Sequence, residues 1–225
     1  MSPAIPAAAI ERRADGNWTL SRGKAEARPR PCLILDRDGV LIEERNYLSD
    51  PRHVAVISGA VGVIRRARSL GWAVVEVTNQ AGIGRGYFGW DAFEAVERRL
   101  EALLAADGVA LDMVLACPFH ADGVPPFARD DWWRKPNPGM ILAAREALNL
   151  DLSQSILVGD RLSDLQAAER AGVAKAAHVA TGHGKEERER VAATTFFRTD
   201  VLQLESIADI GTLLESADVA GDFVK

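Results

Sequence analysis

The chain has 225 residues, a length that suits one α/β domain with a modest insertion. Its 27 basic and 32 acidic residues give a net charge of -5, so it lacks the positive field that holds a nucleic acid. No apolar run is long enough to cross a bilayer, and 2 cysteines are too few for a disulfide framework. We therefore expect a cytoplasmic monomer that binds a small molecule and neither nucleic acid nor membrane.

The chain divides into an extension, a domain and a tail. Residues 1–30 are rich in Ala, Pro and Arg without periodicity, which predicts a loosely ordered N-terminal extension. From residue 31, short apolar runs alternate with longer amphipathic ones, as in βα units that build a parallel sheet buried on both faces. We expect this domain to cover residues 31–217 and to be followed by a frayed tail, residues 218–225.

Apolar runs and three-and-four spacing predict the strands and helices of this domain. The predicted strands are Cys32–Leu35, Ala73–Val77, Met113–Ala116, Ser155–Val158 and Ala176–Val179. The predicted helices are Ala60–Leu70, Asp91–Ala106, Gly139–Leu148, Asp164–Ala171 and one near Val201–Leu214. Residues 118–138 have no periodicity and are rich in Pro, Asp, Arg and Trp, so we predict a long functional loop there. Ligands in open α/β sheets bind beyond the carboxyl ends of the strands, and function is expected at those ends.

Two carboxylates, Asp36 and Asp38, follow the first predicted strand. Strand side chains alternate between faces, so residues two apart project together if the extended geometry persists. Clustered carboxylates need a cation, and Mg²⁺ prefers oxygen ligands and would reduce repulsion between an anionic nucleophile and an anionic substrate. For this motif alone, an acidic turn without chemistry is the better interpretation. A calcium loop fails, because Gly39 is fourth and Tyr47 twelfth where the loop needs Gly sixth and Glu twelfth.

Three further segments carry groups suited to a phosphate or a metal. Thr78 opens a polar, then Gly-rich stretch, 78–86, whose donors suit a phosphate, although a merely flexible loop fits that stretch equally well. Arg134 and Lys135 precede a predicted helix and can bind a phosphate, or form a solvated basic pair. Asp160 ends another strand as a candidate metal ligand. Asp164 either supports the ligands from behind or only caps the next helix.

The four motifs occur together and in order, which makes them far more specific than any one alone. They resemble the motifs of the haloacid dehalogenase-like (HAD) phosphatase superfamily, over residues 31–182. The stretches 36–39, 78–86, 134–140 and 159–161 resemble its heptose bisphosphate and histidinol phosphate phosphatase branch. The resemblance implies a doubly wound, Rossmann-type parallel sheet with a minimal cap formed by loops, and a Mg²⁺-dependent phosphatase.

The resemblance also implies roles for single residues. Asp36 would attack phosphorus and form an aspartyl phosphate, while Asp38 would protonate the leaving oxygen and then deprotonate water. Asp36, the backbone carbonyl of Asp38 and Asp160 would hold Mg²⁺, with Arg161 and Asp164 behind them. Thr78 and Lys135 would hold the phosphoryl oxygens. The residues expected to line the substrate are Glu44, Arg45, Asn46, Tyr47, Thr78, Asn79, Gln80, Ala81, Arg134 and Lys135.

The chain departs from the family at a structural zinc site that many members of this branch form from three cysteines and a histidine. Cys117 matches one ligand, but Phe119 stands at the histidine position, and Asp131 and Trp133 stand at the paired cysteines. His120 is adjacent, yet one thiolate and one imidazole do not close a tetrahedral site, so we predict no zinc. Apolar packing of Phe127, Trp132 and Trp133 is expected to hold the loop instead. The remaining histidines, expected in surface or core roles, are His53, His178 and His183.

The leading substrate by resemblance is D-glycero-D-manno-heptose 1,7-bisphosphate, with removal of the 7-phosphate, and histidinol phosphate is second. A catalytically inactive phosphosugar-binding protein is an alternative of a different class, since a fold does not establish an activity. The presence of Asp36, Asp38, Lys135 and Asp160 argues against it. Phosphoryl transfer to an acceptor other than water is a third possibility.

Overall fold

The computed structural model describes residues 7–211, 213 and 214. The strands in this part of the chain are β1 Ala9–Arg12, β2 Trp18–Ser21, β3 Cys32–Leu35, β4 Ala73–Asn79, β5 Met113–Cys117, β6 Ile156–Gly159, β7 Lys175–Val179 and β8 Asp200–Leu204. The α-helices are α1 Ala60–Ser69, α2 Ala81–Gly84, α3 Trp90–Ala106, α4 Gly139–Leu148, α5 Leu162–Ala171 and α6 Gly184–Ala192. Short 3₁₀ helices cover Pro51–His53, Leu152–Gln154 and Ile207–Ile210.

These strands form one sheet in the order β1-β2-β5-β4-β3-β6-β7-β8. From β5 to β8 the neighbours pair in parallel, and helices cover both faces. Leu33 and Leu35 of β3 belong to the core that includes α1 and α3, while Ile34 belongs to the opposite core with α4 and α5. Burial on both faces explains why the central strands β3, β5 and β6 are apolar throughout. The doubly wound α/β prediction is confirmed.

The predicted strands and four of the five predicted helices agree with the structure to within two residues. The predicted helix near Val201–Leu214 is wrong over residues 201–210, and among the described residues of that range only 211, 213 and 214 are α-helical. Strand β8 pairs with β7 there, and a 3₁₀ helix follows it, capped by the Ser206 hydroxyl. Helix α6 was not predicted because Gly184 and Val191 are its only buried residues, which leaves almost no apolar stripe. Among the described residues, no helix has the length and apolar character needed to span a membrane.

The expectation that residues 1–30 are loosely ordered is wrong for residues 9–21. Strands β1 and β2 form a hairpin, and β2 pairs antiparallel with β5. Trp18 is fully buried, packs edge-on against Phe93 with the ring centroids 5.1 Å apart, and donates its indole N–H to Glu94 over 3.0 Å. The physical reason is that β5 would otherwise be an open edge of the sheet. Residues 1–6 and the predicted tail, 218–225, lie outside the described residues.

Candidate active site

The carboxyl ends of β3, β4 and β6 meet beside a cavity of about 540 Å³. The predicted residues that line it are Asp36, Asp38, Glu44, Asn46, Tyr47, Thr78, Asn79, Gln80, Ala81, Arg134, Lys135, Arg161 and Asp164. Arg45 is not among them, because its half-exposed guanidinium pairs with Glu43 at 2.6 Å on the surface. Its prediction as a lining residue is therefore not supported. Asp160 lies behind the lining, within reach of Asp36.

Lys135 is buried at the floor of the cavity and joins two of its carboxylates. Its ammonium lies 2.8 Å from Asp36 Oδ1 and 2.7 Å from Asp164 Oδ1, and it donates to the Val77 carbonyl over 2.8 Å. Burial opposes the charge, but the carboxylates of Asp164 and Asp36 outweigh it and raise the pKa of Lys135. The Asn79 amide holds the Lys135 backbone through two hydrogen bonds, of 3.0 and 2.9 Å. A fixed positive charge therefore faces the cavity.

Asp36, Asp160 and Asp164 each place one carboxylate oxygen within 4.8 Å of the others. Burial raises the pKa of Asp36 to about 7, although Lys135 opposes this shift. Burial, together with the Asp36 carboxylate, raises the pKa of Asp160 to about 8. Asp160 Oδ2 accepts the His183 backbone N–H at 2.7 Å, while its buried Oδ1 has no hydrogen-bond partner. A buried, partnerless oxygen beside two more carboxylates is a donor set that suits Mg²⁺.

Asp164 combines the two roles weighed for it from the sequence. Its Oδ2 accepts the Arg161 backbone N–H at 2.9 Å and so caps helix α5, while its Oδ1 contacts Lys135. The carboxylate therefore fixes the start of the helix and belongs to the charged cluster. Asp164 is therefore a member of the carboxylate cluster and does not only support the ligands from behind.

Gly39 closes the site on the side of Asp160. Its φ of +82° lies in the left-handed region, and a Cβ there would collide with the Asp160 carboxylate. The Thr181 hydroxyl donates to the Gly39 carbonyl over 2.5 Å. Only glycine lets the backbone after Asp38 pass this close to the buried carboxylate.

Asp38 is oriented by two side chains. Arg37 donates to both carboxylate oxygens over 2.8 to 3.1 Å, and the Gln80 amide donates to Oδ2 over 3.1 Å and to the Thr78 hydroxyl over 2.8 Å. Arg37 itself is only 1% exposed, and its far side pairs with Glu97 of α3 at 2.8 Å. A buried network therefore runs from α3 to the candidate acid.

Several residues of this region were not predicted as contacts. The further lining residues are Arg37, Leu48, Gly82, Arg85, His120, Pro136, Ser163 and His183. His183 follows β7 and lines the cavity, so the rule that ligands bind at strand ends could have found it. Glu97 interrupts the apolar stripe of α3 between Val96 and Leu100, and a charge in a buried stripe is a detectable signal for a buried partner.

Glu76 of β4 provides a test of the buried charges around Arg37. It is fully buried, and neither carboxylate oxygen has a hydrogen-bond partner. Burial and the nearby Glu97 raise its pKa well above the usual 4.5, while Arg37 opposes the shift. Above about pH 4.5 the folded protein then binds more protons than the unfolded chain, so stability falls as the pH rises.

Glu76→Gln is expected to reduce this loss of stability, whose slope approaches about 1.4 kcal/mol per pH unit for one proton. Urea unfolding at pH 5 and pH 8 measures it. The free energy of unfolding of the wild type should fall more between these values than that of the variant. Equal pH slopes in the two proteins would show that Glu76 is ionised in the fold.

The positions of the missing zinc ligands are occupied by packed side chains. Phe119 is buried and packs edge-on against Phe127, with centroids 5.5 Å apart, and Trp133 is 8% exposed. Trp132 is 60% exposed, so the prediction that it packs in this loop is wrong. Asp131 accepts the Trp133 backbone N–H at 2.9 Å, and burial raises the pKa of the Cys117 thiol to about 12. Zinc needs a thiolate, which this pKa disfavours. The absence of zinc stays a prediction.

Comparisons with known proteins place this site in a family. A family model described as HAD-hydrolase-like matches residues 132–206. The D-glycero-beta-D-manno-heptose-1,7-bisphosphate 7-phosphatase of Mesorhizobium japonicum is 50% identical over 146 residues, which are 64% of this chain and 67% of that protein. The protein of the same name from Vibrio cholerae is 36% identical over 182 residues, or 80% and 94% of the two chains. This chain belongs to the HAD-like phosphatases.

Solved structures agree with this membership and with the heptose bisphosphate branch. A HAD-like phosphatase from Mesorhizobium loti matches 90% of this chain and 93% of its own, with a TM-score of 0.79 and 40% identity. The D,D-heptose 1,7-bisphosphate phosphatase from B. bronchiseptica, complexed with magnesium and phosphate, matches 83% and 98%, with a TM-score of 0.70 and 31% identity. This HAD-like phosphatase therefore has the fold and the chemical class that the four motifs imply.

Proposed function

We propose that this phosphatase removes the 7-phosphate of D-glycero-D-manno-heptose 1,7-bisphosphate, with Mg²⁺ and through a phosphorylated Asp36. The observation that carries the proposal is the cluster of Asp36, Lys135, Asp160 and Asp164 at one end of a cavity that also contains Asp38. The names of the related proteins from Mesorhizobium japonicum and Vibrio cholerae support the substrate.

The residues that would hold Mg²⁺ are Asp36, Asp160 and the backbone carbonyl of Asp38, with Asp164 and Arg161 adjacent. The unpartnered Oδ1 of Asp160 and the raised pKa values of Asp36 and Asp160 both indicate carboxylates short of positive charge. When bound, Mg²⁺ supplies charge that offsets the repulsion between carboxylate and phosphate and polarises the phosphoryl group.

In the first step, Asp36 attacks phosphorus while the bond from phosphorus to the sugar oxygen breaks. Asp36 Oδ1 already accepts hydrogen bonds from Lys135 and from the Arg37 backbone N–H, each of 2.8 Å, so Oδ2 is the nucleophilic oxygen. Asp38, held by Arg37 and Gln80, gives its proton to the leaving sugar oxygen. Lys135 and Thr78 stabilise the charge on the phosphoryl oxygens.

In the second step, a water molecule attacks the phosphorus of the aspartyl phosphate. Asp38, now a carboxylate, takes a proton from this water, and the bond between phosphorus and Asp36 breaks. Inorganic phosphate leaves, and both carboxyl groups return to their starting state. Splitting the displacement in two lets one residue serve as acid and then as base.

The charges around the cavity favour a bisphosphate over histidinol phosphate. The basic residues of the lining, besides Lys135 and the paired Arg37, are Arg85, His120, Arg134, Arg161 and His183. A second phosphate on the substrate complements the arginines of this set, while burial lowers the pKa of His120, which therefore adds little charge. Histidinol phosphate instead presents an amine at its other end, which the same side chains repel.

A panel of purified phosphates tests the proposal by the release of inorganic phosphate. With Mg²⁺, kcat/KM for heptose 1,7-bisphosphate should exceed that for histidinol phosphate by about 10²-fold or more, and the product should keep its 1-phosphate. EDTA should abolish turnover, and added Mg²⁺ should restore it. Asp160→Asn should need far more Mg²⁺ for half-maximal activity.

Four results would count against the proposal. Turnover that resists EDTA would contradict the proposed dependence on Mg²⁺. A preference for histidinol phosphate would contradict the proposed substrate. Binding of the bisphosphate without turnover, unaffected by Asp36→Asn, would make the chain a binding protein. Loss of the 7-phosphate without free phosphate would indicate transfer to another acceptor.

A further inference from the structure

We infer that the N-terminal hairpin, residues 9–21, is a positioning element for the substrate-binding end of the loop 118–138. This loop carries Phe119 near its start and Arg134 and Lys135 near its end. The inference rests on the proposed function in one respect, namely that Arg134 contacts the substrate. Its support is a set of contacts between the turn of the hairpin and both ends of the loop.

The first contact is made by the turn between β1 and β2. Gly16 has a φ of +94° and lies against the rings of Phe119 and Phe127, so closely that a Cβ would collide with Phe119. Arg129 donates to the Asp15 carbonyl over 3.2 Å while its guanidinium lies 3.8 Å from the centroid of the Phe119 ring. The turn thus packs on the aromatic core of the loop and accepts a hydrogen bond from the side chain of Arg129.

The second contact reaches the end of the loop. The guanidinium of Arg13 lies 5.0 Å from the centroid of the Trp133 ring. Asn17 is 2% exposed, and its amide nitrogen lies 3.5 Å from Asp131 Oδ1, the same oxygen that accepts the Trp133 backbone N–H. Trp133 immediately precedes Arg134, so the hairpin holds the residue next to the proposed substrate-binding arginine.

Arg134 and Lys135 depend on the hairpin to different degrees. Arg134 donates to the Phe119 carbonyl over 2.9 Å, so its position follows Phe119, which the hairpin covers. Lys135 is held by Asn79, Asp36 and Asp164, none of which belongs to the hairpin or the loop. Loosening the hairpin should therefore displace Arg134 and leave Lys135 in place. Arg134 affects binding of the substrate and Lys135 the chemical step, so KM should change without kcat.

The hairpin also has a purely structural role, and a matched variant can separate that role from its effect on the loop 118–138. Arg12 lies on the same hairpin but pairs with Asp91 and Glu94 of α3, at 2.5 and 2.8 Å, and does not contact the loop. Arg12→Ala weakens the attachment of the hairpin to the domain while sparing its contacts with residues 118–138. It controls for any general effect of a looser hairpin.

The test compares Arg13→Ala/Asn17→Ala with Arg12→Ala and the wild type in steady-state kinetics. The substrate is whichever compound of the phosphate panel the wild type turns over best, so failure of the proposed substrate is seen separately. We expect KM to rise on the order of tenfold in the double variant, with kcat within about twofold of the wild type, and no change of KM in Arg12→Ala.

Hydrogen exchange of the folded proteins supplies a second readout. The backbone N–H groups of Trp133 and Arg134 should exchange faster in the double variant than in Arg12→Ala. If the double variant is too unstable to assay, Arg13→Ala takes its place, because it removes the contact with Trp133 and leaves the buried Asn17 unchanged. An unchanged KM, or an equal rise of KM in Arg12→Ala, would overturn the inference.

Discussion

Asp36→Asn is expected to lower kcat by about 10⁴-fold or more, because it removes the nucleophile and leaves no other carboxylate in the same relation to Lys135 and Asp38. Asparagine has the same shape and can still accept the hydrogen bond from Lys135, so the fold should be retained. Release of phosphate from heptose bisphosphate at saturating Mg²⁺ measures the loss. Acid quenching during turnover should trap a phosphorylated protein in the wild type and none in the variant.

The matched control is Asp200→Asn, which changes an exposed aspartate of β8 on the far edge of the sheet. It should keep full activity and the trapped intermediate. If Asp36→Asn kept more than about a tenth of the wild-type kcat, Asp36 would not be the nucleophile, and the assignment of Asp38 as its acid would be lost with it.

Glu97→Leu is expected to destabilise the fold by about 3 to 5 kcal/mol, although Glu97 does not line the cavity. The reason is the burial of Arg37, which is 1% exposed and pairs with Asp38 on one side and Glu97 on the other, each at 2.8 Å. Without Glu97, one side of a buried guanidinium faces an apolar residue and has lost its hydrogen bond. Urea unfolding measures the change in free energy.

Two further variants separate the cost of an unpaired charge from other effects of the substitution. Glu43→Leu removes one partner of the half-exposed pair with Arg45, at 2.6 Å, and should change stability by less than about 1 kcal/mol. Arg37→Met/Glu97→Leu removes both members of the buried pair and should recover part of the stability lost in Glu97→Leu. A loss in Glu97→Leu no larger than in Glu43→Leu would contradict the prediction.

The centre of the site was predictable because it follows from one rule of the fold. Asp36 and Asp160 come directly after strands that are neighbours in the sheet, and Thr78 is the second-last residue of the strand on the other side of β3. Parallel strands deliver such residues to the same edge, so their order in the chain is enough to place them together. Predicting Lys135 as part of the site also required knowing that its motif occurs together with these carboxylates.

Other parts could not be predicted because they depend on how separate elements pack. Arg37 and Glu97 lie 60 positions apart and meet only through the docking of α3 on β3. Strand β2 contains four residues, and its pairing with β5 rests on Trp18 and Leu20 reaching a core built much later in the chain. For Arg45 the sequence predicted a contact with the substrate that the structure does not support, since a residue within a motif can still turn to the surface and pair there.

Strand β2 has a consequence for how this protein can be handled. Its backbone pairs with the outer edge of Met113–Ala116 and so occupies the N–H and C=O groups there. A version shortened to begin at Pro31 would leave that edge bare, beside the apolar hollow that Trp18 fills. Bare strand edges recruit strands from other molecules, so the shortened protein should precipitate or self-associate before its catalysis can be judged.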